Sequence, residues 1–347
     1  MAVVAEFNQA STGRAISDGL RHAGVPVTEI QAEAHHFHYT SKLLRAVGLL
    51  VHPLSKLSLE EEIVRQVKMA GVNVVLIVKG ALIRPKLIHH LRSEGVYTVV
   101  YYPDFHFEHR GVDLGVLEGA DLVCTTKSFQ IDYLQKLRGV KPTVLVHHGF
   151  SPSIHAPTLP PLSEEEHEFD IFYAGTASAY KASILDAVVE RFADRRILIA
   201  GAGWEVYRGS TRLGPFLHGG PIFGTFLSKF HECSRINLAM HFGVQGRQGW
   251  ADKVSTRTFE IPASRGFMLH PDNEDLRSLF DVERELGVFS DVKSMLDAIA
   301  YYLANPCQRI SMRDAGHARA RAHHSYYVRA TEILEHVRRE VKDGEHV

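Results

Sequence analysis

The sequence lacks long apolar runs, abundant cysteine and an excess of positive charge, and each absence excludes a class of protein. The longest apolar runs, such as residues 72–78, are strand-sized and far below the ~20 residues that a membrane-spanning helix needs. Three widely spaced cysteines, Cys124, Cys233 and Cys307, indicate reduced thiols in the core rather than a disulfide framework or a metal site. A net charge of −1 supplies no global positive field for nonspecific binding to nucleic acid.

Targeting and low-complexity features are also missing. Residues 1–7 show neither the basic region nor the small-residue cleavage site of a secretion signal, so a cytoplasmic protein is expected. The hydrophobic fraction of 45% and the charged fraction of 23% are ordinary for a folded protein. With 347 residues the chain exceeds the roughly 250–300 residues at which a single core stops growing. Two domains are therefore expected.

The first half of the chain alternates short apolar strands with helices. Strands that alternate with helices form a parallel sheet covered on both faces. The pattern predicts strands over residues 3–7, 49–51, 72–78, 97–102, 121–125 and 143–147, and helices over residues 14–23, 59–70, 86–93 and 128–137.

A proline-rich and acidic stretch interrupts this alternation, which then restarts. The sequence predicts an N-terminal domain over residues 1–155, a linker over residues 156–168 and a C-terminal domain over residues 169–322. A helix within residues 323–347 is expected to pack back towards the N-terminal domain. The second alternation consists of strands over residues 170–173, 196–200 and 237–241, helices over residues 181–192, 223–233, 292–304 and 326–342, and a glycine-rich loop over residues 243–249.

The segment that follows the glycine-rich loop combines charges with a predicted helix start. Proline is tolerated in the first turn of a helix, so Pro262 predicts that a helix begins near Thr256 to Thr258 and that Glu260 lies in its first turn. Free N–H groups at that start, with Arg257 and Lys253, suit a phosphate, and Glu260 beside them suits the two hydroxyls of a ribose. The alternative is that Glu260 only stabilises the first turn and that Arg257 forms an ion pair.

The run from Ser255 to Leu269, STRTFEIPASRGFML, resembles the signature of CgeB-like glycosyltransferases. These are GT-B proteins related to the large retaining group. The likeness extends through much of the C-terminal domain and is weaker in the N-terminal domain. It implies an α/β chain of two Rossmann-like parallel domains that face each other across a cleft, with the second domain binding a nucleotide sugar and the first binding the acceptor.

The same resemblance implies roles for individual residues. Related retaining enzymes carry two acidic residues eight positions apart, of which the second holds the donor ribose and the first contacts the sugar. Glu260 matches the second position, and Asp252 stands at the first but is shorter than the usual glutamate. Lys181 resembles a lysine that binds the donor pyrophosphate, with a surface charge as the alternative, and Arg257 suits a phosphate. The other predicted donor-binding residues are Gly175, Thr176, Gly203, His241, Lys253, Ser255 and Thr256.

Candidate residues in the first domain follow strands. The turn formed by Thr12, Gly13 and Arg14 is predicted to approach the donor phosphate or the acceptor, or to be an ordinary turn. Asp104 and His106 follow the strand over residues 97–102, where they would orient or deprotonate an acceptor hydroxyl. Together with Glu108 and His109 they resemble metal ligands, but no compact partner cluster completes a site, so no metal is expected.

The Gly201-Ala202-Gly203 run begins like a dinucleotide fingerprint. Val206 replaces the third glycine of that motif, and no acidic residue stands at the expected spacing. The run is therefore interpreted as a loop near the donor base, and Trp204 as a core residue.

The predicted function is metal-independent, retaining transfer of a sugar from a UDP- or GDP-linked donor, without a cofactor. The expected acceptor is a small molecule, a lipid-linked group or a protein, and a nucleic acid acceptor is less favoured because the charge is near neutral. Two alternatives stay open. One is a sugar-nucleotide epimerase with the same fold, and the other is a non-catalytic spore- or surface-associated binding protein.

Overall fold

The computed structural model describes residues 1–8, 10–35, 42–80, 82–107, 113–140, 142–241, 244–245 and 250–344. It divides into two compact units, one formed by Met1–His148 with Tyr326–Val347 and the other by Gly149–Ser325. The stretch predicted as a linker, residues 156–168, lies within the second unit. No helix among the described residues is long and apolar enough to cross a bilayer.

The first unit is built on a parallel sheet. Its strands are β1 (Ala2–Ala5), β2 (Thr28–Gln31), β3 (Val74–Val78), β4 (Tyr97–Tyr102), β5 (Leu122–Thr125) and β6 (Thr143–Leu145), and its first helices are α1 (Thr12–His22), α2 (Lys42–Ala70), α3 (Pro85–Ser93), α4 (Leu114–Gly119) and α5 (Ser128–Asp132). The strand order is β2-β1-β3-β4-β5-β6, and every pair is parallel. The near-continuous apolar sequences of β3 and β4 are those expected of strands buried on both faces.

The second unit is built on another parallel sheet. Its strands are β7 (Phe169–Ala174), β8 (Ile197–Ala200), β9 (Ser234–Leu238), the short antiparallel pair β10 (Val244–Gln245) and β11 (Trp250–Ala251), β12 (Met268–Pro271) and β13 (Gly287–Phe289), and its helices are α6 (Ala179–Arg191), α7 (Gly224–Glu232), α8 (Thr256–Ala263), α9 (Glu274–Leu279), α10 (Val292–Ala304) and α11 (Pro306–His323). The main sheet has the order β13-β12-β9-β7-β8 with parallel pairs. The prediction of two parallel α/β sheets is confirmed.

The last helix, α12 (Tyr326–Gly344), belongs to the first unit. It packs closely against α1, because a Cβ on Gly19 would lie 2.5 Å from the carbonyl oxygen of Tyr326 and 2.8 Å from the Ala330 Cβ. Only a residue without a side chain allows the two backbones to approach this far. The Ile333 side chain is buried in the core that α1 and α12 share with the sheet.

Some predicted elements are wrong. Residues 49–51 were predicted as a strand but lie inside α2. A short apolar run does not distinguish a strand from part of a helix, and here the long helix contains it. Strands β2, β12 and β13 and helices α9 and α11 were not predicted, since β2 is mostly polar and β12 follows a helix without a recognisable turn.

Candidate functional site

The loops that follow β7 and β8 lie backbone against backbone. A Cβ on Gly201 would lie only 2.0 Å from the carbonyl oxygen of Gly175, and Gly201 has a φ of +138°. The indole Nε1 of Trp204 donates a hydrogen bond to that same Gly175 oxygen over 2.8 Å. Trp204 is buried beside Tyr173, as predicted for a core residue. The glycines after β8 therefore allow the two loops to approach closely. Gly203 has a φ of +84°, which turns the chain at the end of this contact.

Lys181 lies at the start of α6, directly after the β7 loop. The Ser178 side chain caps this helix by accepting a hydrogen bond from the Lys181 N–H over 3.3 Å. The Lys181 Nζ donates to the carbonyl oxygen of Thr176 over 3.0 Å, and the residue is 1% exposed. Burial and the nearby Arg257 lower the pKa of Lys181 to about 8, against an opposing attraction from Asp252. The buried ammonium of Lys181 thus lies close to the partly buried guanidinium of Arg257.

Arg257 connects the carboxyl ends of two neighbouring strands. Its Nη2 donates to the carbonyl oxygen of Met240 over 2.9 Å, and its Nη1 donates to that of Ala174 over 3.4 Å. A Cβ on Gly175 would lie 3.0 Å from Arg257 Nη1 and 2.5 Å from Tyr173 Oη. Among the described residues, neither Arg257 Nε nor Tyr173 Oη has a hydrogen-bond partner. The guanidinium therefore presents a fixed positive charge with spare hydrogen-bonding capacity at the carboxyl edge of the sheet.

Asp252 lies directly after β11 and is 8% exposed. Its charge acts on Lys181 in the direction that favours the ammonium form. The structure thus places the predicted acidic residue near the two cations. Its contact with a sugar stays a prediction.

Glu260 lies on α8, but not in the first turn. The helix begins at Thr256 as predicted, which makes Glu260 its fifth residue and places Pro262 near its end. The premise that proline occupies only a first turn is wrong here, because Pro262 is the second-last residue of an eight-residue helix and its missing N–H removes only one bond, to the carbonyl four residues earlier. The Glu260 side chain is 20% exposed, and its Oε1 lies 3.8 Å from His155 Nε2.

His241 belongs to a buried histidine pair at the ends of β9 and β12. The His270 Nδ1 lies 2.7 Å from the carbonyl oxygen of Pro271, which only accepts hydrogen bonds, so this nitrogen carries the proton. Burial lowers the pKa of His270 to about 4, so its ring is neutral and its Nε2 accepts. That nitrogen lies 2.8 Å from His241 Nε2 and 3.0 Å from Thr258 Oγ1. The pair therefore fixes His241 next to the start of α8.

The other predicted donor-side residues have local structural roles. Lys253 forms ion pairs with Glu274 and, at 3.6 Å, with Asp275 in the first turn of α9. The Ser255 N–H donates to Thr258 Oγ1 over 3.1 Å, so Ser255 caps α8 and Thr256 is its first residue. The structure thus engages the Lys253 charge elsewhere, and the phosphate role of Lys253 has no support from its contacts. Most of the glycine-rich loop, Gly243 and Gly246–Gly249, lies outside the described residues.

In the first unit, the predicted turn at residues 12–14 is the start of α1. The correction follows from packing, since a Cβ on Gly13 would lie 2.2 Å from the Ala5 Cβ, so the helix begins against β1. Thr12 is the first helical residue. The Arg14 Nη1 lies 3.2 Å from the Glu29 carboxylate, so the arginine charge is paired.

Asp104 and His106 follow β4, as predicted. The Asp104 Oδ2 forms an ion pair with Lys79 Nζ at 3.0 Å. Their catalytic roles stay predictions, and Glu108 and His109 lie outside the described residues. Within the described ranges, no group of three His, Cys, Asp or Glu side chains is arranged to hold a metal ion.

Comparison with known proteins identifies the fold. A family model described as glycosyl transferase-like matches residues 181–335. Sucrose-phosphate synthase from Thermosynechococcus elongatus superposes with a TM-score of 0.69 at 15% identity over 99% of both chains. AviGT4, a glycosyltransferase of avilamycin A biosynthesis, gives 0.66 at 17% identity over 99% of this chain and 98% of that chain. HepE from Anabaena, solved with UDP-glucose, gives 0.60 at 11% identity over 97% and 98%.

The chain has the GT-B fold, and its residues 181–335 match glycosyl transferase-like proteins, in agreement with the predicted enzyme class. No curated protein sequence matches the chain. The closer resemblance to CgeB-like enzymes stays a prediction.

Sequence reasoning missed three residues that lie at this site. Tyr173 was part of a predicted strand, and strand periodicity does not show that its hydroxyl reaches Gly175. His155 lay at the edge of a stretch interpreted as a linker, and His270 lay in an unpredicted strand. The one available signal was the position of His270 at the carboxyl end of a strand.

Proposed function

We propose that the protein moves a sugar from a nucleoside diphosphate sugar to an acceptor hydroxyl, with the donor held by the second unit. This proposal rests on two neighbouring cations, Lys181 and Arg257, and on the separate carboxylate of Glu260. Lys181 and Arg257 lie together at the carboxyl edge of β7 and β9, where open α/β sheets bind ligands. Like charges this close repel each other, and an anion between them relieves the repulsion. Asp252 supplies one negative charge nearby, and a diphosphate would supply more.

The carboxylate of Glu260 suits the ribose of that donor. Among the described residues it accepts no hydrogen bond, and the imidazole of His155 lies 3.8 Å from it. Ionised carboxylates are acceptors only, so its oxygens match the 2′- and 3′-hydroxyls. HepE, a structural neighbour, has been solved with UDP and with UDP-glucose, which supports a uridine donor. A GDP-linked donor is the second candidate.

In the proposed reaction, a bond forms between the acceptor oxygen and the anomeric carbon, and the bond from that carbon to the phosphate oxygen breaks. Negative charge develops on the leaving diphosphate, where Arg257 and Lys181 stabilise it without a metal ion. In a retaining reaction the departing phosphate oxygen takes the acceptor proton, and Asp252 contacts the sugar. Product stereochemistry by NMR tests the retaining mechanism, because an inverted anomeric centre would exclude it. Release of free sugar without any acceptor would favour the epimerase alternative.

The Glu260→Ala variant tests the donor site. The wild type is expected to bind one of UDP, GDP, ADP, dTDP or CDP, with stabilisation of about 2.7 kcal/mol at 100 times the dissociation constant. Loss of two charge-assisted hydrogen bonds is expected to weaken that binding by about 100-fold. Calorimetry and thermal shift measure both effects. Glu283→Ala, at an exposed carboxylate, is the matched control and should leave affinity unchanged. If no diphosphate binds the wild type, the proposed function is wrong and the non-catalytic binding alternative gains ground.

Donor affinity is expected to fall at alkaline pH through Lys181. Burial and Arg257 lower the pKa of Lys181 to about 8, so the ammonium is charged below pH 8 and loses its charge above it. A diphosphate binds the charged form better. The affinity for UDP should therefore be nearly constant up to pH 7 and fall by about tenfold per pH unit above 8. Calorimetry from pH 6.5 to 9.5 in buffers of different ionisation enthalpy measures the affinity and the proton uptake. The Lys181→Met variant should bind more weakly without this slope. A wild-type affinity that stays flat to pH 9.5 would contradict the assignment.

A further inference from the structure

A buried imidazole, that of His155, faces the Glu260 carboxylate. His155 is 5% exposed, and its Nε2 lies 3.8 Å from Glu260 Oε1. Its Nδ1 lies 3.2 Å from the backbone N–H of Ser151 and 3.0 Å from the carbonyl oxygen of the same residue. The ring is therefore held by its own loop at one nitrogen and faces the carboxylate with the other.

The protonation of His155 follows from these contacts. The Nδ1 accepts a hydrogen bond from the Ser151 N–H over 3.2 Å, so the ring proton lies on Nε2. An N–H group therefore points at Glu260. The distance of 3.8 Å exceeds a hydrogen bond, so the contact is an electrostatic one.

Contacts away from Glu260 hold the His155 ring in place. Phe150 packs edge-to-face against it with ring centroids 6.2 Å apart at 89°. The Arg321 guanidinium on α11 lies 5.4 Å from the Phe150 ring centroid, and its Nη1 donates to the His155 carbonyl oxygen over 3.5 Å. Aromatic and cation–π contacts of this geometry stabilise a fixed orientation. The imidazole is thus held in one orientation, whereas the Glu260 carboxylate accepts no hydrogen bond among the described residues.

We propose that His155 is a positioning residue for Glu260, and that through Glu260 it sets a preference for ribose over 2′-deoxyribose in the bound nucleotide. The inference rests on the proposed donor role of Glu260. A flexible glutamate loses side-chain entropy when it orders on a ligand. The N–H of His155 reduces that loss, because it attracts the carboxylate into one position before the ribose arrives. Without this N–H, the Glu260 carboxylate occupies the position that accepts from the 2′-hydroxyl less often. The preference for ribose over 2′-deoxyribose then declines.

A matched pair of substitutions tests the proposal. His155→Gln keeps an N–H donor near the position of Nε2, and His155→Met has a similar shape without one. The measurement is the ratio of dissociation constants for 2′-deoxy-UDP and UDP, with the two guanosine ligands measured in parallel. The wild type should prefer the ribonucleotide by about tenfold, as expected for a hydrogen bond to a charged group. His155→Gln should keep most of this preference. His155→Met should lose about fivefold in UDP affinity while its affinity for 2′-deoxy-UDP stays within about twofold.

The outcomes separate the inference from the proposed function. If His155→Met weakens both ligands equally, or keeps the wild-type ratio, His155 does not position Glu260 and the inference is overturned. A wild type that binds UDP without any preference for the 2′-hydroxyl overturns it as well. A wild type that binds neither nucleotide overturns the proposed function and with it the inference. His155→Phe, which keeps the aromatic contact with Phe150, replaces the methionine variant if that variant does not fold. His167→Met, which removes another buried imidazole of the same unit, controls for general destabilisation.

Discussion

Replacing Arg257 with alanine is expected to raise the dissociation constant for the nucleoside diphosphate by at least about 100-fold and to abolish measurable sugar transfer. The guanidinium is held by the carbonyl oxygens of Ala174 and Met240, so its charge has a fixed position at the ends of β7 and β9. Loss of one preorganised group of this kind typically reduces catalysis by about 10²- to 10³-fold. Arg257→Lys should fail almost as badly, because a single ammonium cannot reach both carbonyls and a phosphate.

Calorimetry with the diphosphate that binds the wild type measures this effect. Thermal unfolding of each variant shows whether the fold survives, since Arg257→Ala leaves two carbonyl oxygens without a partner and should cost about 1–3 kcal/mol. Arg277→Ala is the matched control, because Arg277 pairs with Asp272 on the exposed surface of α9 at 2.7 Å. If a folded Arg257→Ala variant bound the diphosphate with wild-type affinity, Arg257 would not be a phosphate ligand.

Gly201→Ala is expected to lower the free energy of unfolding by about 3 kcal/mol or more, the largest stability effect at this site. Two causes act together. The φ of +138° is strained for any residue with a side chain, and the new Cβ would lie 2.0 Å from the carbonyl oxygen of Gly175. Relief of this clash separates the loops after β7 and β8 and breaks the hydrogen bond from Trp204 to Gly175.

Chemical denaturation of the variant, with circular dichroism as the probe, measures the change. Gly209→Ala is the matched control, because a Cβ there would meet no atom within 4 Å and the residue lies only a few positions along the chain. Equal stability of the two variants would contradict the close contact between the loops. Diphosphate binding should fall in parallel with stability in Gly201→Ala, since the same displacement moves Thr176, which binds the Lys181 ammonium.

Local patterns in the chain were sufficient for the architecture and for part of the site. Alternating strands and helices predicted both parallel sheets, and β4 and α10 lie where the pattern placed them. The run around Arg257 and Glu260 predicted a helix start near Thr256 to Thr258, and the helix begins at Thr256. The position of Glu260 within that helix was wrong, since the proline rule describes a preference for the first turn and α8 is short enough to accept proline near its end.

Contacts between distant residues were decided only by the tertiary structure. Strand order β13-β12-β9-β7-β8 brings the end of β7 beside the end of β9, so that Arg257 reaches Ala174, although 83 positions separate them in the chain. The same folding places His155 near Glu260 and pairs Lys253 with Glu274 at the start of α9. By itself, the sequence determined most of the strands and helices, because hydrophobic periodicity is a local property. Which charges meet depends on the order of strands in a sheet, and that order follows from packing of the whole unit.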